Sequence, residues 1–167
     1  KYALDRHGLS RVAVLDFDVH HGNGTQDLLW NEARALFVSS QQFPLWPGTG
    51  RAEETGAHGQ IVNLPLAPGS GGAEMRAAWE PALARVAAFK PELILVSAGF
   101  DAHRDDPLAN LMWSESDYAW LSRAICEVAN LCAMAPTTGS FSSTRSKRAR
   151  WPGRFTHVAK NTPPPMS

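Results

Sequence analysis

Residues 11–25 read RVAVLDFDVHHGNGT. The apolar run Val12, Ala13, Val14 and Leu15 leads into Asp16, Phe17, Asp18, Val19 and His20 and then into a Gly-rich turn, the pattern of a strand and its end. Alternation along a strand puts Asp16, Asp18 and His20 on one side and Phe17 and Val19 on the other. Carboxylates crowded at the end of an apolar strand are unfavourable unless a cation or hydrogen-bond donors compensate them. Carboxylate and imidazole together are ordinary ligands of zinc.

Taken alone, a D-x-D near a loop is a common turn or cap element. A second apolar run strengthens the metal reading. Leu93, Ile94, Leu95, Val96 and Ser97 lead to Ala98, Gly99, Phe100, Asp101, Ala102 and His103. In open α/β sheets, sites form beyond the carboxyl ends of the strands, so Asp18, His20 and Asp101 can meet there.

The rest of the chain must supply the elements that hold those strand ends. Residues 2–7 are expected to end a helix that stops at Gly8. An amphipathic helix is expected over 25–35, with Leu28, Leu29 and Trp30, before a strand at 35–40. Strand, helix and strand in this order imply a right-handed crossover and a mostly parallel sheet. Residues 41–59 form a long Pro- and Gly-rich loop of the kind that carries function. Its Phe43, Leu45 and Trp46 either line an entrance to the metal or cap the core edge, and His58 reads as a loop hydrogen-bonder.

A short strand over 61–66 and a turn over 67–72 lead to a helix over 73–89. Met75, Ala78, Trp79, Ala82, Leu83, Val86 and Phe89 recur there at core spacing. The Gly run lacks the Lys of a P-loop and is read as a turn. Pro91 ends the helix, and 93–97 is expected to be a buried strand. Ser114 and Asp117 suggest a capping box opening a helix over 115–132, with Tyr118, Leu121, Ile125, Val128 and Leu131 on its buried face. Cys126 and Cys132 belong to that helix as packing thiols.

The segments DFDVHHGNGTQ (16–26), PGTG (47–50), NLPL (63–66) and SAGFDAH with DPL beyond it (97–108) stand in one order. In this combination the chain resembles the zinc-dependent histone deacetylase family, most closely bacterial class II-like deacetylases and acetylpolyamine amidohydrolases. The resemblance covers roughly the first four-fifths of the chain. It implies an α/β arginase/deacetylase fold, a mostly parallel sheet with flanking helices, represented here only in part. It implies Asp18, His20 and Asp101 as zinc ligands and an acetylated amine or acetyl-lysine as substrate. Asp16 and Asn23 take positions that orient two adjacent catalytic histidines, and Trp46 takes that of an aromatic wall of the acyl-lysine tunnel. A potassium site is implied at main-chain oxygens near Asp16, Asp18 and His20, with Ser39 and Ser40. The 167 residues contain neither those upstream histidines nor the family's Gly-Gly-Tyr element, and His21, on the opposite face, is no substitute. Little deacetylase activity is therefore expected of this polypeptide alone.

Length and composition fit that reading. One domain is expected over residues 1–134, as the C-terminal portion of a catalytic domain, followed by a basic, Pro-containing tail over 135–167 with the composition of disorder. That tail holds six Lys/Arg and no Asp or Glu, whereas the whole chain has a formal net charge of zero, so nothing global steers it to nucleic acid or membrane. A solvated tail is favoured over a nucleic-acid contact at Arg145, Lys147, Arg148 and Arg150. Two cysteines and no span of membrane length suit a reduced, cytoplasmic setting. The start at Lys1 is expected to lie inside a domain, and the abrupt change near 135 suggests a shifted reading frame or a gene-end artefact. Two alternatives remain: an arginase-like binuclear manganese hydrolase, and a non-catalytic remnant or interaction module using its basic tail. Nothing in the sequence sets an oligomeric state.

Overall fold

The computed structural model describes residues 1–134; the tail expected over 135–167 lies outside them. Four parallel strands stand in the order β3-β2-β1-β4. In chain order the elements are α1 (Tyr2–His7), β1 (Val12–Asp16), α2 (Asn23–Leu29), β2 (Ala35–Gln42), β3 (Ile61–Leu66), α3 (Gly72–Phe89), β4 (Leu93–Ser97) and α4 (Glu115–Met134). The chain belongs to the α/β class, as its alternation of apolar runs and helical periods implies.

The two faces of the sheet are covered unequally. Ala13 and Leu15 of β1 and Leu36 and Val38 of β2 pack with Met75, Trp79 and Val86 of α3 and with Leu121 and Ile125 of α4 in the main core. On the other face Ala35, Phe37 and Ile61 meet Leu29 of α2 in a smaller cluster, with Val14 at its edge.

Four expectations need correction. The helix after β1 covers Asn23–Leu29 rather than 25–35: the chain turns from Trp30 onward, and Glu32 and Arg34 pair at 2.6 Å across that turn. Only Leu29 of the apolar trio is buried, Leu28 being exposed. Strand β4 is half-buried at all five residues rather than buried, because β1 is its only partner among the described residues. The buried stripe of α4 continues from Ile125 and Val128 to Cys132, seven positions past Ile125, and leaves Leu131 exposed.

The turns behave as their residues dictate. Gly8 ends α1 in the left-handed conformation at φ 66°, which glycine adopts without steric cost. Gly71 N–H donates to the Glu74 carboxylate at 2.9 Å at the start of α3, so the Gly run is a helix entry. At α4, Ser114 N–H and hydroxyl both donate to Asp117 at 2.9 and 2.8 Å, and Arg76 of α3 reaches the same carboxylate at 2.7 Å.

Candidate metal centre

Parallel register makes the strand ends flush. Asp16 lies opposite Ser39 of β2 and Ser97 of β4, so β1, β2 and β4 deliver their chains to one rim. β1 ends at Asp16, and residues 18–20 form a bend rather than further strand. The alternation survives this: Phe17 and Val19 are buried in the main core, while Asp18 and His20 are half-exposed.

Asp18, His20 and Asp101 converge. Each offers a ligand atom within 4.8 Å of the others, and they are the one such group among the described residues. His20 Nδ1 stands 3.1 Å from Asp18 Oδ1 and 3.1 Å from Asp101 Oδ2. Ligands about 2.0–2.1 Å from a tetrahedral zinc lie about 3.3 Å apart, so these separations suit such an ion. The second carboxylate oxygen of Asp101 accepts Val19 N–H at 3.1 Å, and Asp18 Oδ1 accepts His20 N–H at 2.8 Å. Main-chain donors thereby orient both carboxylates. Burial raises the Asp101 pKa, and the Asp18 charge raises it further against the Val19 hydrogen bond. Two acidic groups held together against their own repulsion form a donor set suited to a divalent cation.

Asp16 sits beneath the group, buried, with Oδ1 accepting Asp18 N–H at 3.1 Å. Burial pushes its pKa up to about 7, in spite of the Asp18 N–H and Ser97. Two glycines admit these carboxylates: a Cβ on Gly22 would lie 2.6 Å from Asp16 Oδ2, and one on Gly99 2.5 Å from Asp18 Oδ2 and 2.6 Å from Asp18 Cα. Asn23 is exposed at the first residue of α2. Ser39 is buried and donates to Gln41 Oε1 at 3.0 Å, while the buried Ser40 hydroxyl has no partner among the described residues.

The long loop divides the roles left open for its apolar residues. Leu45 packs against the core, Phe43 lies under the Arg51 guanidinium at 4.9 Å, and Trp46 stands 79% exposed. His58 donates through its backbone to Gln60.

Sequence reasoning missed a buried polar network behind this rim. His21 is buried, with Nδ1 2.8 Å from Thr49 Oγ1 and Nε2 3.1 Å from Gln26 Oε1. Gln26 Nε2 donates to Glu54 at 2.6 Å, and Asn63 Nδ2 donates to Gln26 Oε1 at 2.7 Å. The available signals were weak: an Asn inside the apolar strand IVNLPL, and a Glu four residues beyond Gly50.

The sequence matches the histone deacetylase domain family over residues 1–141. The chain belongs to the histone deacetylase family. It is 46% identical over 137 residues to the chloroplastic histone deacetylase 10 of Oryza sativa subsp. japonica, covering 79% of this chain and 31% of that protein. It is 40% identical over 134 residues to the histone deacetylase-like amidohydrolase of Pseudomonas aeruginosa, covering 76% of this chain and 35% of that one. Among solved structures, the acetylpolyamine aminohydrolase of Burkholderia pseudomallei superposes with a TM-score of 0.69 at 31% identity, covering 77% of this chain and 43% of that one. The chain thus spans about a third of the length of these curated histone deacetylase relatives, and it shares the arginase/deacetylase fold. Among the described residues no helix is long and apolar enough to cross a membrane.

Proposed function

We propose that this chain carries part of the active site of a zinc-dependent amidohydrolase that removes acetyl groups from acetyl-lysine or acetylated polyamines. The observation that carries the reading is the convergence of Asp18, His20 and Asp101 at one sheet rim in a chain of the histone deacetylase family. These three would hold the metal. When bound, zinc would polarise the amide carbonyl and activate a water near neutral pH.

The chain's own residues would do the rest of what this segment contributes. Asp18 and Asp101 bring the negative charge that retains the cation, and Val19 and His20 N–H groups keep their oxygens aimed. Asp16 and Asn23 would orient histidines that the 167 residues do not contain, fixing the imidazole tautomer by accepting a ring N–H. Trp46, free of packing, would wall the path of the acyl chain. A potassium ion beside Ser39 and Ser40, near main-chain oxygens of Asp16, Asp18 and His20, is supported by the buried Ser40 hydroxyl, which has no partner among the described residues. A single metal is favoured over the arginase-like manganese pair by the one cluster of three donors among the described residues. A reducing compartment such as the cytoplasm is supported by the two free cysteines of α4. The 167 residues alone would turn over acetyl-lysine peptides slowly or not at all, since the Gly-Gly-Tyr element they lack would supply, by the family resemblance, a phenol to the oxyanion, and loss of one such donor costs about two to three orders of magnitude.

Zinc titration of the chain with a chromophoric chelator as competitor tests the metal reading. One equivalent should bind. Asp101→Asn should abolish tight binding while keeping the fold, because its amide oxygen can still accept Val19 N–H. Equal zinc affinity in wild type and this variant would refute the assignment.

A further inference from the structure

The polar network behind the rim, buried at His21, Gln26 and Asn63 and reaching the surface at Thr49, has one direction of hydrogen bonding throughout. Glu54 accepts Gly50 N–H and Arg51 N–H, at 3.2 and 3.0 Å, as well as Gln26 Nε2. Gln26 must therefore present its oxygen to His21 and Asn63, so His21 Nε2 carries the proton and Nδ1 accepts from the Thr49 hydroxyl. The imidazole is held from both sides and lies against the Gly50 backbone, where an added Cβ would come within 2.6 Å of the ring. Gln41 Nε2 closes the arrangement by donating to Gly50 C=O at 2.6 Å. Residues 49–54 are thus fastened to the residue that follows His20.

We propose that Glu54 is a positioning residue for the His20 turn, acting through Gln26 and His21, and that it fixes the loop bearing Trp46 in the same act. A carboxylate accepting several N–H groups gives strong, charge-assisted hydrogen bonds, and here they belong to the loop and to Gln26 at once. His21, immobilised on the core side, leaves the preceding residue no freedom to rotate away from Asp18 and Asp101. The Thr49 hydroxyl is the other end of the same clamp.

Amide hydrogen exchange on the metal-free 167-residue chain tests this without reference to zinc. Glu54→Gln should speed exchange about tenfold, the effect of losing a charge-assisted hydrogen bond, at Gly50 and Arg51 and also at Val19 and His20. Thr49→Val, a mild change at an exposed position, should act on the same turn amides to a smaller degree. Glu54→Asp should recover part of the protection. Faster exchange confined to the loop, or spread evenly over the whole molecule, would overturn the proposal. A second arm rests on the zinc reading above. Glu54→Gln should weaken zinc binding about tenfold, the low end for supporting partners of metal ligands, with the melting temperature of the metal-free chain little changed. Unchanged zinc affinity with a lowered melting temperature would reduce Glu54 to a structural role and refute the proposal. Should wild type bind no zinc, the metal assignment fails on its own and the exchange pattern decides the clamp.

Discussion

Gly99 shows how narrowly the rim is built. With Asp18 Cα only 2.6 Å from where a Cβ would sit, the backbone of the β1 end cannot yield as a flexible side chain would. Gly99→Ala should destabilise the chain by about 1–3 kcal/mol, the range for overpacking, and should weaken zinc binding by displacing Asp18. Urea denaturation and chelator competition measure the two effects. At this scale much was legible in the sequence. The D-x-D-x-H spacing separated Phe17 and Val19, which are buried, from Asp18 and His20, which are not. Alternation carries that far because side chains of an extended bend still point to opposite sides. His21, Gln26, Glu54 and Asn63 were not legible as a unit, because their contacts join α2, a loop and β3 across 28 to 37 residues of sequence. Hydrogen bonding over such separations leaves no periodic trace.

The elements were readable where one force dominates. β4 follows a continuous apolar run and β3 a largely apolar one interrupted by Asn63, and their bounds agree with the sequence reading; α2 does not, since its extent is set by the turn that Glu32 and Arg34 stabilise. Arg34 holds the Glu32 carboxyl at about 2, well below its ordinary range. The start of α4 offers a pH test. Burial raises the Asp117 pKa, but Ser114 and Arg76 outweigh it and the net shift is downward. An acid whose folded pKa is depressed contributes stability above its unfolded pKa and loses it as pH falls through the folded one. Asp117→Asn should therefore cost stability at pH 7 and progressively less below about pH 4, where the wild-type carboxyl is protonated in the unfolded state. Denaturant midpoints at both pH values check this. Trp79→Ala in α3, by contrast, should cost about 3–5 kcal/mol at either pH, as for a fully buried aromatic.

Among the described residues, the exposed side of β4 and the apolar groups beyond it form the surface that sets the behaviour in solution. Leu93, Leu95 and the rest of β4 are only half-covered, and Phe100, Leu108 and Met112 stand 65%, 66% and 50% exposed. Open strand edges beside apolar surface favour pairing with another chain, and a formal net charge of zero offers no repulsion to oppose it. Sedimentation velocity should show association that grows with protein concentration, and Leu108→Lys should reduce it. A monomer at all concentrations would contradict this view of the surface.

The proposed ligands sit far apart along the polypeptide, Asp18 at the exit of β1 and Asp101 at that of β4, while those strands lie side by side in the sheet. A cation between them would act as a reversible crosslink across a loop of about eighty residues. Closing so long a loop in the disordered chain is entropically costly, so a bound cation would reinforce a β1–β4 pairing that already stands without it, and chelation would be felt as a lowered resistance to unfolding as well as a loss of chemistry.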